Sequence, residues 1–344
     1  MKKKYLLYVS QLYSFSIVRP LEKAIIRNGD RAAWFLARPE YNYLLNQDEK
    51  VLHTVSEITA YDPCAIFVAS NSVPDFFPGV KVQLFHGFNA RKRNSSQGHF
   101  RLRGFFDLYC TQGPSTTLPF LELEKKYQYF KVMETGWPKM DPLFSKPEEN
   151  KKNKKPVVLF TSTFTPALSA AHKIHDTLKE LIEKNLWEWI ITLHPKMDKK
   201  IVSQYKKLEQ QNCQFIETDN IIPLLKKADV MLSDTSSVVN EFLLQKKPVV
   251  TFKNRRPGSH LINVTDQKDI ESSLASALKR PQGLMESIEN YIQLIHPYND
   301  GKSSERVLCA TDNFINNYHG KLKKKPLNLT RRLKMRLKYK YFKF

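Results

Sequence analysis

The first half of the chain alternates short apolar runs with amphipathic stretches. The apolar runs predict strands at YLLYVS, AAWFLA, CAIFVAS, KVQLF, DLYC and YFKVMETG, which begin at residues 5, 32, 64, 81, 107 and 129. Between the first two runs, SIVRPLEKAIIRNG predicts a helix that ends at Gly29. Strands that are apolar throughout, with helices between them, are typical of a parallel sheet covered on both faces.

The segment SKPEENKKNKKP interrupts this pattern and predicts a linker over 146–156. After it the alternation restarts, with strands predicted at VVLFTS, WEWIITLH, CQFIE, VMLSD and PVVTF. Helices are predicted over 167–184, 198–210, 269–279, 283–295 and 304–319. We therefore expect an α/β protein with two Rossmann-like domains that face a cleft, over 1–145 and 157–320, followed by a basic tail over 321–344.

Polar residues follow several of these strands directly. His86 and Gly87 follow VQLF, Thr161 and Ser162 end VVLFTS, and His194 follows WIITL. The run DTSS, Asp234 to Ser237, follows VML. In doubly wound sheets ligands bind beyond the carboxyl ends of the strands, so the recurrence predicts a functional site built from these residues.

The stretch DTSSVVNEFLLQKK predicts a phosphate site. Thr235, Ser236 and Ser237 stand where a helix begins, and hydroxyl donors there would add to the free backbone N–H groups of the helix start. Glu241 follows one turn along the helix. An ordinary helix cap is the alternative, and it explains one of these residues but not the whole run.

Charge is concentrated at the end of the chain. The net charge is +21, and 321–344 hold eleven Lys and Arg and no acid, interleaved with Leu, Met, Tyr and Phe. We expect this tail to attach to an anionic membrane surface. A disordered solubilising tail is the second interpretation, and nucleic acid is not expected as a partner because no nucleic-acid-binding module precedes the tail.

The composition limits the classes of protein. The apolar runs are far shorter than the ~18 residues that span a bilayer. The four cysteines have no metal-like spacing and are expected to be the reduced thiols of a cytoplasmic protein. There is no DxD pair or metal-ligand cluster, so no cofactor is expected, although a Mg²⁺ ion held by a bound diphosphate is compatible with the sequence.

Several motifs occur in the order seen in one family. HG after a strand, GWPKMDPLF, VVLFTSTF, LHP, IIPLLKKADVMLSDTSSVVNEFLLQKKPVV and YNDGKSSERV resemble the CDP-glycerol glycerophosphotransferases, which make teichoic acids and capsule polymers. The resemblance implies a GT-B fold, with an acceptor-side domain over 1–145 and a donor-binding domain over 157–320. It implies a CDP-activated donor, most simply CDP-glycerol, and a lipid-linked glycan or polyol-phosphate acceptor at the inner face of the cell membrane.

The resemblance also assigns residues. It places His86 as the general base and His194 against the donor diphosphate. A further set of residues would contact donor or acceptor: Gly87, Arg91, Arg93, Thr161, Ser162, Asp234, Thr235, Ser236, Ser237, Glu241, Asp300 and Arg306. The sequence departs from the family where Thr235 replaces an aromatic residue, Phe85 replaces Trp and Glu241 replaces Asp, which leaves the identity of the donor open.

Three alternatives remain. A nucleotide-sugar glycosyltransferase of the same fold is favoured by Glu241, which is similar to ribose-binding glutamates. A sugar-nucleotide 2-epimerase is weaker, because the histidine–arginine motif of that family has no counterpart in LFTSTFTP. A non-enzymatic membrane adaptor does not explain the polar clusters at the strand ends.

Overall fold

The computed structural model describes residues 2–88, 100–145 and 155–342, and the chain divides into two compact units. The first unit comprises Met1–Pro142 and Ile295–Phe344, and the second unit is the continuous segment Leu143–Leu294. Each unit contains a six-stranded parallel sheet with helices. The predicted α/β class with two Rossmann-like domains is confirmed.

The described residues form twelve strands and twelve α-helices. The strands are β1 Lys4–Val9, β2 Arg31–Leu36, β3 Ala65–Val68, β4 Val80–Gln83, β5 Leu108–Thr111, β6 Lys131–Glu134, β7 Val157–Ser162, β8 Glu188–Leu193, β9 Cys213–Phe215, β10 Val230–Ser233, β11 Val249–Phe252 and β12 Ile262–Val264. The helices are α1 Tyr13–Arg27, α2 Val55–Tyr61, α3 Pro114–Tyr127, α4 Asp141–Phe144, α5 His175–Glu183, α6 Lys199–Lys206, α7 Ile222–Lys227, α8 Val238–Leu243, α9 Ile270–Leu278, α10 Gln282–Ile295, α11 Ser303–Asn317 and α12 Leu329–Tyr339.

The sheet of the first unit has the order β2-β1-β3-β4-β5-β6. The strand β1 pairs with β2 on one side and β3 on the other, and Tyr5 to Val9 are buried on both faces. This position explains why the first apolar run does not alternate with polar residues. The carboxyl ends of β1, β4, β5 and β6 all lie at one edge of this sheet, because the paired strands are parallel.

The sheet of the second unit has the order β12-β11-β10-β7-β8-β9. The strand β7 is central and pairs with β10 and β8, and all six of its residues are buried. The loops that follow β10, β7 and β8 are therefore neighbours at one edge of the sheet. These loops carry the polar runs that the sequence singled out.

The division into units corrects the predicted domain boundaries. The sequence predicted one domain over 157–320, but the chain from Ile295 onward belongs to the first unit. Asp141 binds the start of α11, since its carboxylate accepts hydrogen bonds from the backbone N–H groups of Ser303 and Ser304, both at 2.8 Å. Gly136 lies close to the same segment and has φ of 77°. A Cβ at this position would lie only 2.5 Å from Ser303 Oγ, which is too close unless Ser303 shifts. Of the predicted linker, 146–154 lie outside the described residues.

The helix predicted over 167–184 is shorter than expected. In the structure α5 begins at His175, and the preceding residues form turns. The backbone N–H of Ala170 donates to Asp234 at 2.8 Å, and that of Ala171 donates to Ser162 Oγ at 3.1 Å. These N–H groups bind side chains of the second unit instead of an α-helical ladder, which is a long-range contact that local propensity does not contain.

The basic tail is folded on the first unit. Sequence analysis gave a disordered tail as the second interpretation, but 329–339 form α12. Tyr339 packs against Phe35, Phe76 and Phe77, and its hydroxyl lies 3.0 Å from that of Tyr8. These contacts fix one face of α12.

Two further expectations concern the cysteines and the membrane. The four cysteines are free thiols; Cys110 and Cys213 are buried and Cys64 is half-buried, while Cys309 is exposed. Among the helices formed by the described residues, none has the length and apolar character needed to cross a bilayer.

Candidate functional site

His86 lies beyond the end of β4 on the surface of the first unit. Phe85, directly before it, has φ of 58° and packs into the core against Tyr109 and Phe120. This left-handed residue turns the chain, so that the ring of Phe85 is buried and the side chain of His86 is exposed. The local backbone thus directs His86 outward, as the sequence predicted for a residue at a strand end.

The hydrogen bond of His86 determines its tautomer. Its Nδ1 lies 3.2 Å from the carbonyl oxygen of Ala69, and its ring stacks on that of Tyr13 with the centroids 5.0 Å apart. A carbonyl only accepts, so Nδ1 carries the proton and the lone pair of the neutral ring is on Nε2. Nε2 is therefore the atom that is able to accept a proton from a substrate.

An aromatic cluster continues from His86 along the same edge of the sheet. Phe88 contacts Trp137, with ring centroids 4.9 Å apart, and also His296 at 5.9 Å. The backbone N–H of Trp137 donates to His296 Nε2 at 2.9 Å. Burial lowers the pKa of His296 to about 4, so this histidine is neutral near pH 7 and serves as an acceptor inside the first unit. Sequence analysis did not identify His296, because its partner is distant in the chain.

Buried polar atoms are concentrated at this edge. Within the part of the chain that the structure describes, four buried side chains here have polar atoms without a hydrogen-bond partner: Ser14 Oγ, Gln83 Oε1, both amide atoms of Gln112, and Trp137 Nε1. They follow, or end, the strands β1, β4, β5 and β6. Buried polar groups are normally hydrogen-bonded, so these atoms are exceptions to that rule at this edge of the sheet.

In the second unit, Asp234 organises the loop after β7. It is fully buried at the end of β10, and its carboxylate accepts hydrogen bonds from Ser162 Oγ at 2.6 Å and from the backbone N–H groups of Thr163 and Ala170. Ser162 Oγ also lies 2.8 Å from Ser169 Oγ. Asp234 is therefore a positioning residue that holds 163–170 in place.

Three residues predicted as donor contacts are buried in the second unit. Thr161 Oγ1 lies 2.9 Å from Ser233 Oγ, and Thr161, Ser162 and Asp234 are all buried. Their side chains hydrogen-bond to one another or to neighbouring residues of the second unit, and these bonds stabilise the loops at the edge of the sheet. Their direct contact with a donor remains a prediction.

Ser237 does not form the ordinary helix cap that sequence analysis gave as the alternative to a phosphate site. Ser237 precedes α8 with φ of −70° and ψ of −21°, and its side chain makes no capping hydrogen bond. The helix α8 has only six residues, so its dipole is small. Ser236 is half-buried and Ser237 is exposed, and both hydroxyls remain at the strand edge. What places them there is the turn after β10, not a capped helix.

A pair of arginines that sequence analysis missed lies at the same edge. Thr235 Oγ1 accepts a hydrogen bond of 3.1 Å from the backbone N–H of Arg255, which follows β11. Arg255 and Arg256 are exposed, and β11 is the neighbour of β10 in the sheet. The sequence signal was NRRPG after the strand PVVTF, which is a pair of cations at another strand end.

His194 is exposed beyond β8. Its Nδ1 accepts a hydrogen bond from the backbone N–H of Lys196 at 3.0 Å, and its ring lies 4.5 Å from that of Phe164 in the loop after β7. Because Nδ1 is an acceptor, the proton of the neutral ring is on Nε2. His194 is thus arranged as a donor, the opposite of His86.

Glu241 is buried in α8. The adjacent Asn240 accepts a hydrogen bond of 3.1 Å from the hydroxyl of Tyr291, whose ring stacks on His260 with the centroids 3.6 Å apart. Burial lowers the pKa of His260 to about 4. Glu241 thus lies in a packed part of the second unit, and its contact with a donor remains a prediction.

Asp300 and Arg306 belong to the first unit, not to the unit that carries the serines. They form a two-pronged ion pair, with Arg306 Nη1 2.8 Å from Asp300 Oδ2 and Nη2 3.1 Å from Oδ1. Arg306 Nε donates to the carbonyl oxygen of Thr135, and its guanidinium lies 4.0 Å from the ring centroid of Tyr298. The ion pair lowers the pKa of Asp300. These contacts close the loop before α11, and a contact of Asp300 or Arg306 with donor or acceptor remains a prediction.

The remaining predictions concern Arg91, Arg93 and Gly87, and the absence of a metal site. Arg91 and Arg93, predicted as acceptor contacts, lie outside the described residues. Gly87 is described, and a Cβ built on it would meet nothing within 4 Å. Over 2–88, 100–145 and 155–342, no group of three His, Cys, Asp or Glu side chains is placed to hold a metal ion.

Comparisons with known proteins agree with this architecture. The chain is 24% identical over 204 residues to the teichoic acid glycerol-phosphate primase of Bacillus subtilis (strain 168), covering 54% of this chain and 52% of the primase. The chain thus spans about half the length of this curated relative.

Two solved structures show the same fold. A structure of the wall teichoic acid polymerase TagF soaked with CDPG has a TM-score of 0.65 at 14% identity, covering 91% of this chain and 88% of that chain. The co-structure of S. aureus MnaA with UDP has a TM-score of 0.64 at 17% identity, covering 94% of this chain and 99% of that chain. The two-domain GT-B-like fold is therefore confirmed.

The sequence pattern of one family covers more than half of the chain. The UDP-N-acetylglucosamine 2-epimerase family matches residues 125–311, which extend from the end of α3 to α11. Sequence analysis gave a sugar-nucleotide 2-epimerase only as a weaker alternative, because LFTSTFTP has no counterpart of the histidine–arginine motif of that family. The chain belongs to the UDP-N-acetylglucosamine 2-epimerase family.

Proposed function

We propose that this protein transfers glycerol phosphate from CDP-glycerol to a hydroxyl of a membrane-linked surface glycan or polymer, and releases CMP. The observation that carries the proposal is the arrangement of His86, an exposed histidine whose Nδ1–H donates to a carbonyl, which leaves the lone pair of the neutral ring on Nε2. The relationship to the glycerol-phosphate primase and the fold shared with TagF support it.

The proposed step is a single displacement at phosphorus. The acceptor oxygen forms a bond to the phosphorus that bears glycerol, and the bond from this phosphorus to the bridging oxygen breaks. The acceptor proton passes to His86 Nε2, and the bridging oxygen leaves as part of CMP. An acceptor hydroxyl is a weak nucleophile near pH 7, so a positioned base accelerates the step.

The second unit would hold the donor diphosphate. His194 is arranged to donate from Nε2, and the hydroxyls of Ser236 and Ser237 and the cations of Arg255 and Arg256 belong to the same sheet edge. Hydrogen-bond donors and cations stabilise the charge that develops on the leaving CMP. Asp234 would contribute indirectly, by fixing the loop that carries Phe164 against His194.

Nucleotide-sugar chemistry is the second candidate, and the family match favours it. In this case the donor would be a UDP-sugar, used by a glycosyltransferase or converted by a 2-epimerase. The fold shared with MnaA, solved with UDP, is consistent with such a donor. The loop after β7, which reads TFTPALS, holds no cation, and for this reason we place glycerophosphate transfer first.

A donor screen with the purified full chain tests the proposal. CDP-glycerol, CDP-ribitol and UDP-sugars are each incubated with a lipid-linked glycan acceptor, and nucleotide release and sugar isomers are followed by chromatography. The proposal expects CMP from CDP-glycerol. Release of UDP alone would establish glycosyl transfer, and an isomerised UDP-sugar without acceptor consumption would establish epimerisation; either result overturns the proposal.

A further inference from the structure

A leucine stripe runs along the exposed side of α12. Leu329, Leu333 and Leu337 are 70%, 55% and 56% exposed. They are spaced by four residues, so they share one face of the helix. Leu327 before the helix and Phe342 after it are also more than half exposed. Single exposed leucines are common, but a continuous apolar face on a helix is typical of a contact surface.

The opposite side of α12 is held by the first unit. Tyr339 packs among Phe35, Phe76 and Phe77, and the guanidinium groups of Arg332 and Arg336 lie 3.7 and 3.5 Å from Asp75 Oδ2. The helix is therefore not a loose extension. Its docked face fixes the direction of the leucine stripe, which points away from the first unit.

Positive charge borders the stripe. Lys334 and Lys338 are exposed and each follows a leucine of the stripe by one position. The segment 321–344 contains no acidic residue to offset its eleven cations. A helix with an apolar face and basic flanks lies in the interface of an anionic membrane, where its leucines reach the acyl chains and its lysines contact the headgroups.

We propose that α12 is an interfacial helix that binds anionic lipid through Leu329, Leu333 and Leu337, with Lys334 and Lys338 at the headgroups. A second copy of this chain fits less well, because two such faces would bring like charges together. Nucleic acid would use the cations but not the leucines. The inference rests on the proposed function in one respect, because a lipid-linked acceptor would explain why the protein binds a membrane. Lipid binding itself needs no donor and is measured separately.

Vesicle sedimentation of the full chain tests this inference. We expect the protein to sediment with vesicles of phosphatidylcholine and phosphatidylglycerol, and only weakly with phosphatidylcholine alone. Replacing Leu329, Leu333 and Leu337 together by Glu should lower the partition coefficient by about tenfold or more. The Lys334→Gln, Lys338→Gln double variant should bind more weakly and with a smaller dependence on salt.

Controls separate lipid binding from folding and from catalysis. Leu186→Glu replaces a leucine that is 50% exposed in the second unit and should sediment like the wild type. A Leu→Gln triple variant, with an unchanged urea midpoint, excludes unfolding and should also lose binding. CMP release from CDP-glycerol with a soluble acceptor should be equal in all variants, so this inference and the proposed function fail separately.

Two results would overturn the inference. One is sedimentation of the triple Glu variant at the wild-type level. The other is a wild-type dimer in analytical ultracentrifugation that the triple variant converts to a monomer, which would assign the stripe to a second copy of the chain.

Discussion

Asp234 Oδ2 accepts a hydrogen bond of 2.8 Å from the backbone N–H of Ala170, which joins the end of β10 to the loop after β7. Asp234→Asn should therefore destabilise the second unit, because an amide places an N–H₂ donor where the carboxylate accepts. We expect a loss of about 1–3 kcal/mol in the free energy of unfolding. Urea denaturation followed by tryptophan fluorescence measures it.

Asp219→Asn is the matched control, since Asp219 is exposed in the same unit. It should leave the urea midpoint unchanged. If Asp234→Asn were equally silent, the buried carboxylate would not hold the loop, and its hydrogen bonds would be dispensable.

His86→Ala should remove the proposed base. We expect the rate of CMP release in a single turnover to fall by about 10²–10⁴, because that is the usual contribution of a general base. The dissociation constant for CDP-glycerol, measured by calorimetry, should stay close to the wild-type value. A variant that lost donor binding instead would remove His86 from the role of base.

The exposed histidine His53, also in the first unit, provides the control for this experiment. His53→Ala should keep the wild-type rate. His86→Gln should be as slow as His86→Ala, because its side chain is able to reach the carbonyl of Ala69 but cannot accept a proton near pH 7.

His296 should make the stability of the first unit depend on pH. Burial holds its pKa in the folded state at about 4, below the ordinary value of 6.5. As the pH falls from 6.5 to 4, the unfolded chain binds a proton that the folded chain does not. Folding then loses up to about 3 kcal/mol, and the contribution is complete only above pH 6.5.

Urea unfolding at pH 7 and pH 5 tests this prediction. His296→Gln keeps a side-chain acceptor for the N–H of Trp137 but cannot titrate, so its unfolding free energy should change less between the two pH values. His53→Gln should keep the wild-type difference. An identical difference in His296→Gln would show that another group causes the pH dependence.

Tyr339 should stabilise the docking of α12. Tyr339→Ala removes contacts with three phenylalanine rings, and we expect a loss of about 2 kcal/mol. Tyr339→Phe removes only the hydroxyl pair with Tyr8 and should cost about 1 kcal/mol. Leu337→Ala, on the exposed side of the same helix, should be nearly neutral, and equal effects at both positions would contradict the described orientation of α12.

Strand positions were predictable because their signal is local. Tyr5 to Val9 and Val157 to Ser162 form continuous apolar or small runs, and each lies in a strand that has a parallel neighbour on both sides. His86 and His194 were predictable for the same reason, because they directly follow such runs.

Features that depend on distant partners were not predictable. The late start of α5 follows from hydrogen bonds to Asp234, and the return of α11 to the first unit follows from Asp141. The burial of Thr161 and Ser162 is another example, since hydroxyl groups at a strand end look alike in sequence whether they face a ligand or a buried carboxylate. The tertiary contact, not the residue type, decides the outcome.

The hydrogen bonds of Asp141 with Ser303 and Ser304 join two parts of the first unit that are translated at different times. The first unit is discontinuous in the chain, and the second unit is continuous. When a ribosome has made the sheet β1 to β6, the residues that complete it at α11 have not yet been translated, and all of Leu143–Leu294 must be synthesised first. The whole of the second unit is therefore synthesised before α11, which completes the first unit, is translated.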